Sequence, residues 1–290
     1  MANENFVIFT DSGCDISADI LKEWDVLSLD LTFRFEGEDK EYSNADMPVK
    51  KFYDRMRGGE VAKTSAINTA TFEEAFEALL KQGKDLLYLG FSSGLSTTYN
   101  CAKMAAAELA EKYPDNKIIT VDTLAASAGQ GLLVNFAVKK RDEGATIEQT
   151  AQYIESIKLN LCHWFTVDDL VYLKRGGRVS AAAALVGTVL NIKPMLHVDN
   201  DGHLISKAKV RGRKTTLKFL CDKYGELAQD KKNGTVYICN ADCMDDVESL
   251  KAMLAEEYGA SVEIVTDIGP VIGAHAGPGT IAVFFLGNER

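Results

Sequence analysis

Short apolar runs alternate along this chain with longer segments of helical period, and the alternation carries most of what can be read about its shape. Phe6 to Thr10 reads as a buried strand that stops at Asp11-Ser12-Gly13, followed by a helix around Ser17 to Trp24 and a strand over Val26 to Phe33. Phe52 to Met56 has helical texture and ends at Gly58-Gly59. Thr71-Phe72-Glu73-Glu74 fits a capping box, and Phe72, Ala75, Phe76, Leu79 and Leu80 recur at the spacing of one helix face. Leu86 to Phe91 predicts a strand, a Ser/Gly loop follows, and a helix begins near Thr97 and runs to Lys112. Lys117 to Val121 is another strand, with helices near Ala126–Arg141 and Ile147–Leu159. Strand then helix, repeated, is the pattern of a parallel sheet covered on both faces.

The second half has a different texture. His163 to Val167 reads as a strand, Asp168 to Leu173 as a short helix, and Val179 to Leu190 as an Ala-rich helix. Pro194–Val198 and Leu204–Val210 flank Asn200-Asp201-Gly202, a strong hairpin turn. A helix (Lys214–Leu227), a strand (Thr235–Cys239), a helix (Asp245–Tyr258) and a strand (Val262–Thr266) follow. A Gly/Pro-rich segment, 269–279, leads to a last strand, Ile281–Leu286. A hairpin joined to βαβ units predicts a mixed sheet. The expectation is therefore an α/β protein of two α/β domains, residues 1–160 with a mainly parallel sheet and residues 161–290 with a mixed one.

With 290 residues, 46% of them hydrophobic, the chain can bury a large core. A net charge of −10 repels phosphate backbones and argues against nucleic acid as a partner. The opening MANENFVIFTDSG has no basic stretch followed by a long apolar one, and the longest apolar run, Ala181 to Leu190, is too short to span a bilayer. The expected setting is the cytoplasm. Six scattered cysteines match no common zinc spacing and read as small buried residues in a reducing compartment; no metal site and no cofactor are expected.

Loops at the carboxyl ends of parallel strands are the usual ligand site in such sheets. Two of them, Lys63–Asn68 and Ser92–Thr97, are rich in hydroxyls beside a helix start, where the macrodipole favours an anion. The same side chains also serve as caps and turn formers. Gly90-Phe91-Ser92-Ser93-Gly94 fits the G-x-S-x-G pattern, so a serine hydrolase using Ser92 and His275 is a rival reading. It is weakened by the extra loop residues before the helix and by the lack of an upstream His-Gly-Gly. His163, His197 and His203 lie in or beside strands and read as structural or exposed, whereas His275 sits among glycines and prolines that let backbone approach a ligand. Lys174, Arg175 and Arg178 form one basic cluster, and Lys207, Lys209, Arg211, Arg213 and Lys214 a second. Each is either solvated surface or a place for an anion or an acidic partner.

Read in order, the motifs resemble the DegV family. Thr10-Asp11-Ser12, Lys63-Thr64-Ser65, the run from Ser92 to Asn100 and Val121-Asp122-Thr123 carry the first half of the likeness. Leu173 to Ser180, Lys209 to Lys214 and Gly269 to Gly279 carry the second, so it covers nearly the whole chain. It implies two α/β domains holding a long-chain fatty acid such as palmitate between them. Some such proteins are the acyl-binding subunit of a bacterial fatty acid kinase, presenting the carboxylate to a separate ATP-binding subunit without catalysing a reaction alone. It also implies that Thr64, with Ser96 and Ser93 and with Ser65 in support, holds the carboxylate. His275 would stand close to it, and Arg178 near the opening, where it could meet the kinase. The chain departs from the family pattern at Ala66-Ile67, where Gln-Pro is usual, and at Thr97, where Gly is usual. Both bear on the shape of the head-group loops. The Val179–Leu190 helix is a candidate tunnel wall, or else a plain core helix. Besides the hydrolase, a third reading is a lipid-sensing regulatory protein that reports through the basic segments.

Overall fold

In the computed structural model, which describes residues 6–179 and 192–290, the first apolar run folds as β1 (Phe6–Asp11), followed by α1 (Ala18–Glu23) and β2 (Val26–Leu29). The strand expected over 26–33 is broken at Asp30-Leu31. The Leu31 N–H donates to Ser12 Oγ at 2.9 Å, the Leu31 side chain turns inward, and the chain leaves the sheet. It resumes as β3 (Thr32–Phe35), whose Phe33 and Phe35 pack on Phe52 of α2 (Val49–Arg57) and which pairs antiparallel with β4 (Ala62–Ser65). The first half of Lys63–Asn68 is thus strand in a two-stranded ribbon, and the loop of Ala66–Asn68 follows an antiparallel strand and not a parallel one. The helix read from Thr71 is α3 (Thr69–Leu80), and its cap is Asn68, whose Oδ1 accepts from the Thr71 N–H at 3.0 Å. Thr71 therefore lies inside the first turn.

The chain continues through β5 (Asp85–Gly90), α4 (Thr98–Lys112), β6 (Ile118–Asp122), α5 (Ala128–Asp142) and α6 (Ile147–Ile157). The parallel sheet has the order β2-β1-β5-β6. Its central strands read Val/Ile/Leu/Phe-rich without alternation because helices cover both faces.

Leu161 opens the mixed sheet with β7 (Leu161–Thr166), then α7 (Val171–Arg175), β8 (Ile192–Val198) and β9 (Leu204–Arg211). Next come α8 (Arg213–Leu227), β10 (Val236–Asn240), α9 (Met244–Tyr258) and β11 (Val262–Asp267). The Gly/Pro-rich segment, for which the sequence predicts no element, forms a helix, α10 (Pro270–Ala276), before β12 (Ile281–Leu286). Pro270 stands in its first turn, where a missing N–H costs nothing. Gly273 lets it press on α2, since a Cβ there would lie 2.4 Å from the Tyr53 hydroxyl oxygen. The order is β11-β10-β12-β7-β8-β9, with β10–β11 parallel and the other pairs antiparallel.

Period-two alternation gives this sheet two apolar faces. Ile281, Val283 and Phe285 of β12 join the cluster under α8 and α9, whereas Ala282 and Phe284 face the first half of the chain. Between the two sheets runs α5, buried from Ala128 to Val138 apart from the half-buried Phe136, with small and apolar residues on most sides of that stretch. Gly129 and Gly131 permit the close approach: a Cβ at Gly129 would meet the His163 ring at 2.6 Å, and one at Gly131 would meet Ile16 at 2.4 Å.

Polar contacts cross the same seam. The Tyr53 hydroxyl donates to the Ile268 carbonyl at 2.7 Å, and the Asp15 carboxyl takes the Gly269 N–H at 3.0 Å and the Ser127 hydroxyl at 2.5 Å. Arg290 donates to the carbonyls of Leu124, Lys158, Leu161 and Asp199, so one guanidinium ties the end of β6, the start of β7 and the β8–β9 turn together. Burial lowers its pKa to about 10, and it keeps its charge at neutral pH.

Candidate functional site

A cavity of about 370 Å³ opens between the two sheets, within the size range of small-molecule sites. Its floor is the inward face of the mixed sheet. Phe165, Ala282 and Cys239 lie side by side across β7, β12 and β10, with His163 opposite Phe284 one step along. Leu31, Phe91 and Ala126 close it from the first half, and α10 contributes Val271 and Ile272.

The polar groups gather where β4, the loop after β5, α10 and the turn after α7 meet. Thr64 on β4 and His275 in the last turn of α10 touch, Oγ1 to Nε2, at 2.8 Å. The other ring nitrogen, Nδ1, is buried without a hydrogen-bond partner among the described residues and lies against Gly176. Burial, helped by the nearby Arg178 cation, pushes the imidazole pKa down to about 4, so the ring is neutral at physiological pH. A neutral imidazole beside hydroxyls can donate to an anion and brings no fixed charge that must be neutralised.

Ser93 and Ser96 line the same end. Ser96 Oγ accepts from the Thr98 N–H at 3.2 Å and lies 2.9 Å from Thr98 Oγ1, so it shapes the turn into α4 while lining the cavity; the turn-forming and anion-site readings coincide in one side chain. Arg178 reaches back across the opening, Nε to the Leu95 carbonyl at 3.2 Å and Nη1 to the Gly176 carbonyl. Thr64, Ser93, Ser96, His275 and Arg178 are thus brought together. Ser65 is not: as the next strand residue it points the other way, is exposed, and donates to Glu41 at 3.4 Å. Of the positions that depart from the family pattern, Ala66 and Thr97 line the cavity and Ile67 is buried in the core.

Ser92 is fully buried and its hydroxyl donates to the Gly202 carbonyl at 2.9 Å, while His275 is engaged by Thr64. The hydrolase reading thus finds its nucleophile and base bonded elsewhere. The second basic cluster also divides. Arg213 is ion-paired with Asp246 at 2.7 Å and Asp168 at 3.3 Å, whereas Lys207, Lys209, Arg211 and Lys214 are exposed with no ion pair among the described residues. The Val179–Leu190 helix falls, beyond the buried Val179, outside the described residues. Sequence reasoning missed the floor. The one signal was Ala282, a small residue inside the otherwise bulky run Ile281–Leu286.

A family model described as "Uncharacterised protein, DegV family" matches residues 5–288. The chain belongs to the DegV family. A DegV domain-containing protein of Clostridium perfringens is 43% identical to it, over 99% of each chain. A DegV lipid binding protein from Thermotoga maritima superposes with a TM-score of 0.86 at 31% identity, covering 99% of both chains. The fatty acid-binding DegV family protein from Thermus thermophilus superposes at 0.87, with 28% identity over 98% of this chain and 99% of that one. This DegV chain shares their α/β architecture of one parallel and one mixed sheet, and among its described residues no helix is long and apolar enough to cross a membrane.

Proposed function

We propose that this DegV-family chain binds one long-chain fatty acid, such as palmitate, and presents the carboxylate to a partner kinase. The observation that carries the reading is a single cavity joining an apolar floor to the hydroxyl and imidazole cluster of Thr64, Ser93, Ser96 and His275. The fatty acid and lipid binding of its structural relatives supports it. The physics agrees. Burying about fourteen methylenes gains on the order of 11 kcal/mol at ~0.8 kcal/mol each. Each charge-assisted hydrogen bond to the head adds about 1.5–3 kcal/mol. Association costs roughly 4–15 kcal/mol, which leaves room for micromolar or tighter binding. The tail supplies affinity and the head supplies orientation. In this reading the chain divides at residue 160, since among the described residues every strand before Leu161 lies in the parallel sheet or the β3–β4 ribbon and every later one in the mixed sheet.

Mass spectrometry of lipid extracted from the purified protein should find a fatty acid. Thr64→Ala and Ser96→Ala should each weaken palmitate binding about tenfold, the worth of one hydrogen bond to a charged group; unchanged affinity in both would refute the head-group assignment. Bound carboxylate should also raise the pKa of His275. Its ring resonances should therefore stay flat from pH 5 to 8 in delipidated protein and titrate in the complex. For the kinase role, delipidated protein should yield phosphorylated palmitate only when the ATP-binding subunit is added, and product formed without it would contradict the carrier role.

A further inference from the structure

We propose that Ser92 is a positioning residue, whose hydroxyl locks the carboxylate-binding loop of the first half of the chain onto the β8–β9 turn of the second. The proposal rests on the fatty acid reading above. Every polar atom of Ser92 is committed: its N–H donates to the Ala125 carbonyl at 2.9 Å, and its carbonyl accepts from the Leu95 and Ser96 N–H groups at 3.0 and 3.1 Å. Its Oγ donates to the Gly202 carbonyl at 2.9 Å and accepts from the Gly94 N–H at 3.2 Å. The serine therefore curls the loop that presents Ser93 and Ser96, and anchors that curl to a separate part of the fold.

The anchor is itself rigid. Asp199 Oδ1 accepts the N–H groups of Asp201 and His203 at 3.0 and 2.9 Å, and Arg290 holds the Asp199 carbonyl at 2.7 Å and the Leu124 carbonyl at 3.0 Å. The contact leaves no room for slack. A Cβ at Gly94 would lie 2.7 Å from the Asp201 carbonyl oxygen, and one at Gly202, whose φ is +78°, would lie 2.1 Å from Ser92 Oγ. Ser92 does not line the cavity, so its loss moves the head-group donors without altering the wall that would meet the tail.

The experiment measures Kd for palmitate and for hexadecanol, which has the same tail and no carboxylate, in the wild type, Ser92→Ala, Gly202→Ala and the double variant. Ser92→Ala should weaken palmitate about tenfold, one hydrogen bond's worth, and leave hexadecanol within about twofold. Gly202→Ala should do the same. In the double variant the oxygen that the new Cβ would strike is gone, so the two losses should add to less than their sum. Equal losses for acid and alcohol, no loss for either, or strict additivity would overturn the clasp while palmitate binding by the wild type still stands. A wild type that does not bind palmitate overturns the fatty acid reading and the clasp with it.

Discussion

Replacing Ala282 with tryptophan should cut palmitate affinity on the order of a hundredfold while the protein stays folded. Ala282 sits mid-floor, between Phe165 of β7 and Cys239 of β10, with its side chain on the cavity side of β12. An indole there occupies space that about four methylenes of the ligand would fill, and at ~0.8 kcal/mol each their exclusion costs about 3 kcal/mol. Because the new ring enters a void, the overpacking that such a change causes in a filled core is avoided. Ala282→Ser, which adds a single atom, should bind within about threefold of the wild type by the same reasoning. Titration calorimetry on delipidated proteins, with thermal melts as the control for folding, reads the outcome. A folded tryptophan variant that binds palmitate as the wild type does would show that the ligand lies elsewhere.

The second large effect concerns Asp15 and pH. Burial pushes its carboxyl up to about 8 and the neighbouring Asp267 adds to the rise, against the pull of the Ser127 hydroxyl and the Gly269 N–H. In an unfolded chain the same group titrates near 3.9. Between about pH 4 and 8 the folded state therefore holds a proton that the unfolded state has released, and stability falls as pH rises through that window by about 1.4 kcal/mol per unit. Below the window both states are protonated, and above it both are ionised, so the term is flat on either side. Asp15→Asn is neutral throughout and can still accept from Gly269 and hydrogen-bond Ser127. Its melting temperature should match the wild type near pH 4 and exceed it increasingly toward pH 8, by the equivalent of about 5 kcal/mol at the end of the range. Melting curves that keep a constant offset across pH would sink this account. Ser127 and Cys239, beside this carboxyl, line the cavity, so loosening here should also loosen the wall.

Local pattern makes much of the fold legible, and it fails where a distant contact decides or where two local signals compete. The β8–β9 hairpin was legible because Asn200-Asp201-Gly202 supplies the backbone freedom its turn needs, and Gly202 does adopt positive φ. The split of the 26–33 run was not legible, because nothing within it announces that Leu31 bonds to Ser12 and turns toward the cavity. The Asn68 cap is masked by Thr71 and Glu74, which match the capping-box pattern three residues later. The glycines and prolines of the 269–279 segment hide its helical character, yet Pro270 opens a helix and Gly273 seats it against Tyr53. Within the site, the residues alone point to two hydroxyl-rich loops and to His275 among glycines and prolines, and it is the family resemblance that singles out Thr64, Ser93 and Ser96. Ser65 shows the limit, since strand alternation sends it outward. The apolar floor depends on which face of the mixed sheet meets α5 and the first half of the chain, and no stretch of sequence states that.

At the outer edge of the mixed sheet, β9 has no neighbour among the described strands on its far side, and Lys207, Lys209 and Arg211 stand exposed at every second position along it. An open edge is a template on which another chain can add a strand. Were a second molecule to approach edge to edge, three cations would face three cations while its backbone tried to pair, and filament growth would stall at the first contact. Such a row of like charges opposes edge-to-edge pairing, and replacing it with threonines should make the protein more prone to self-association.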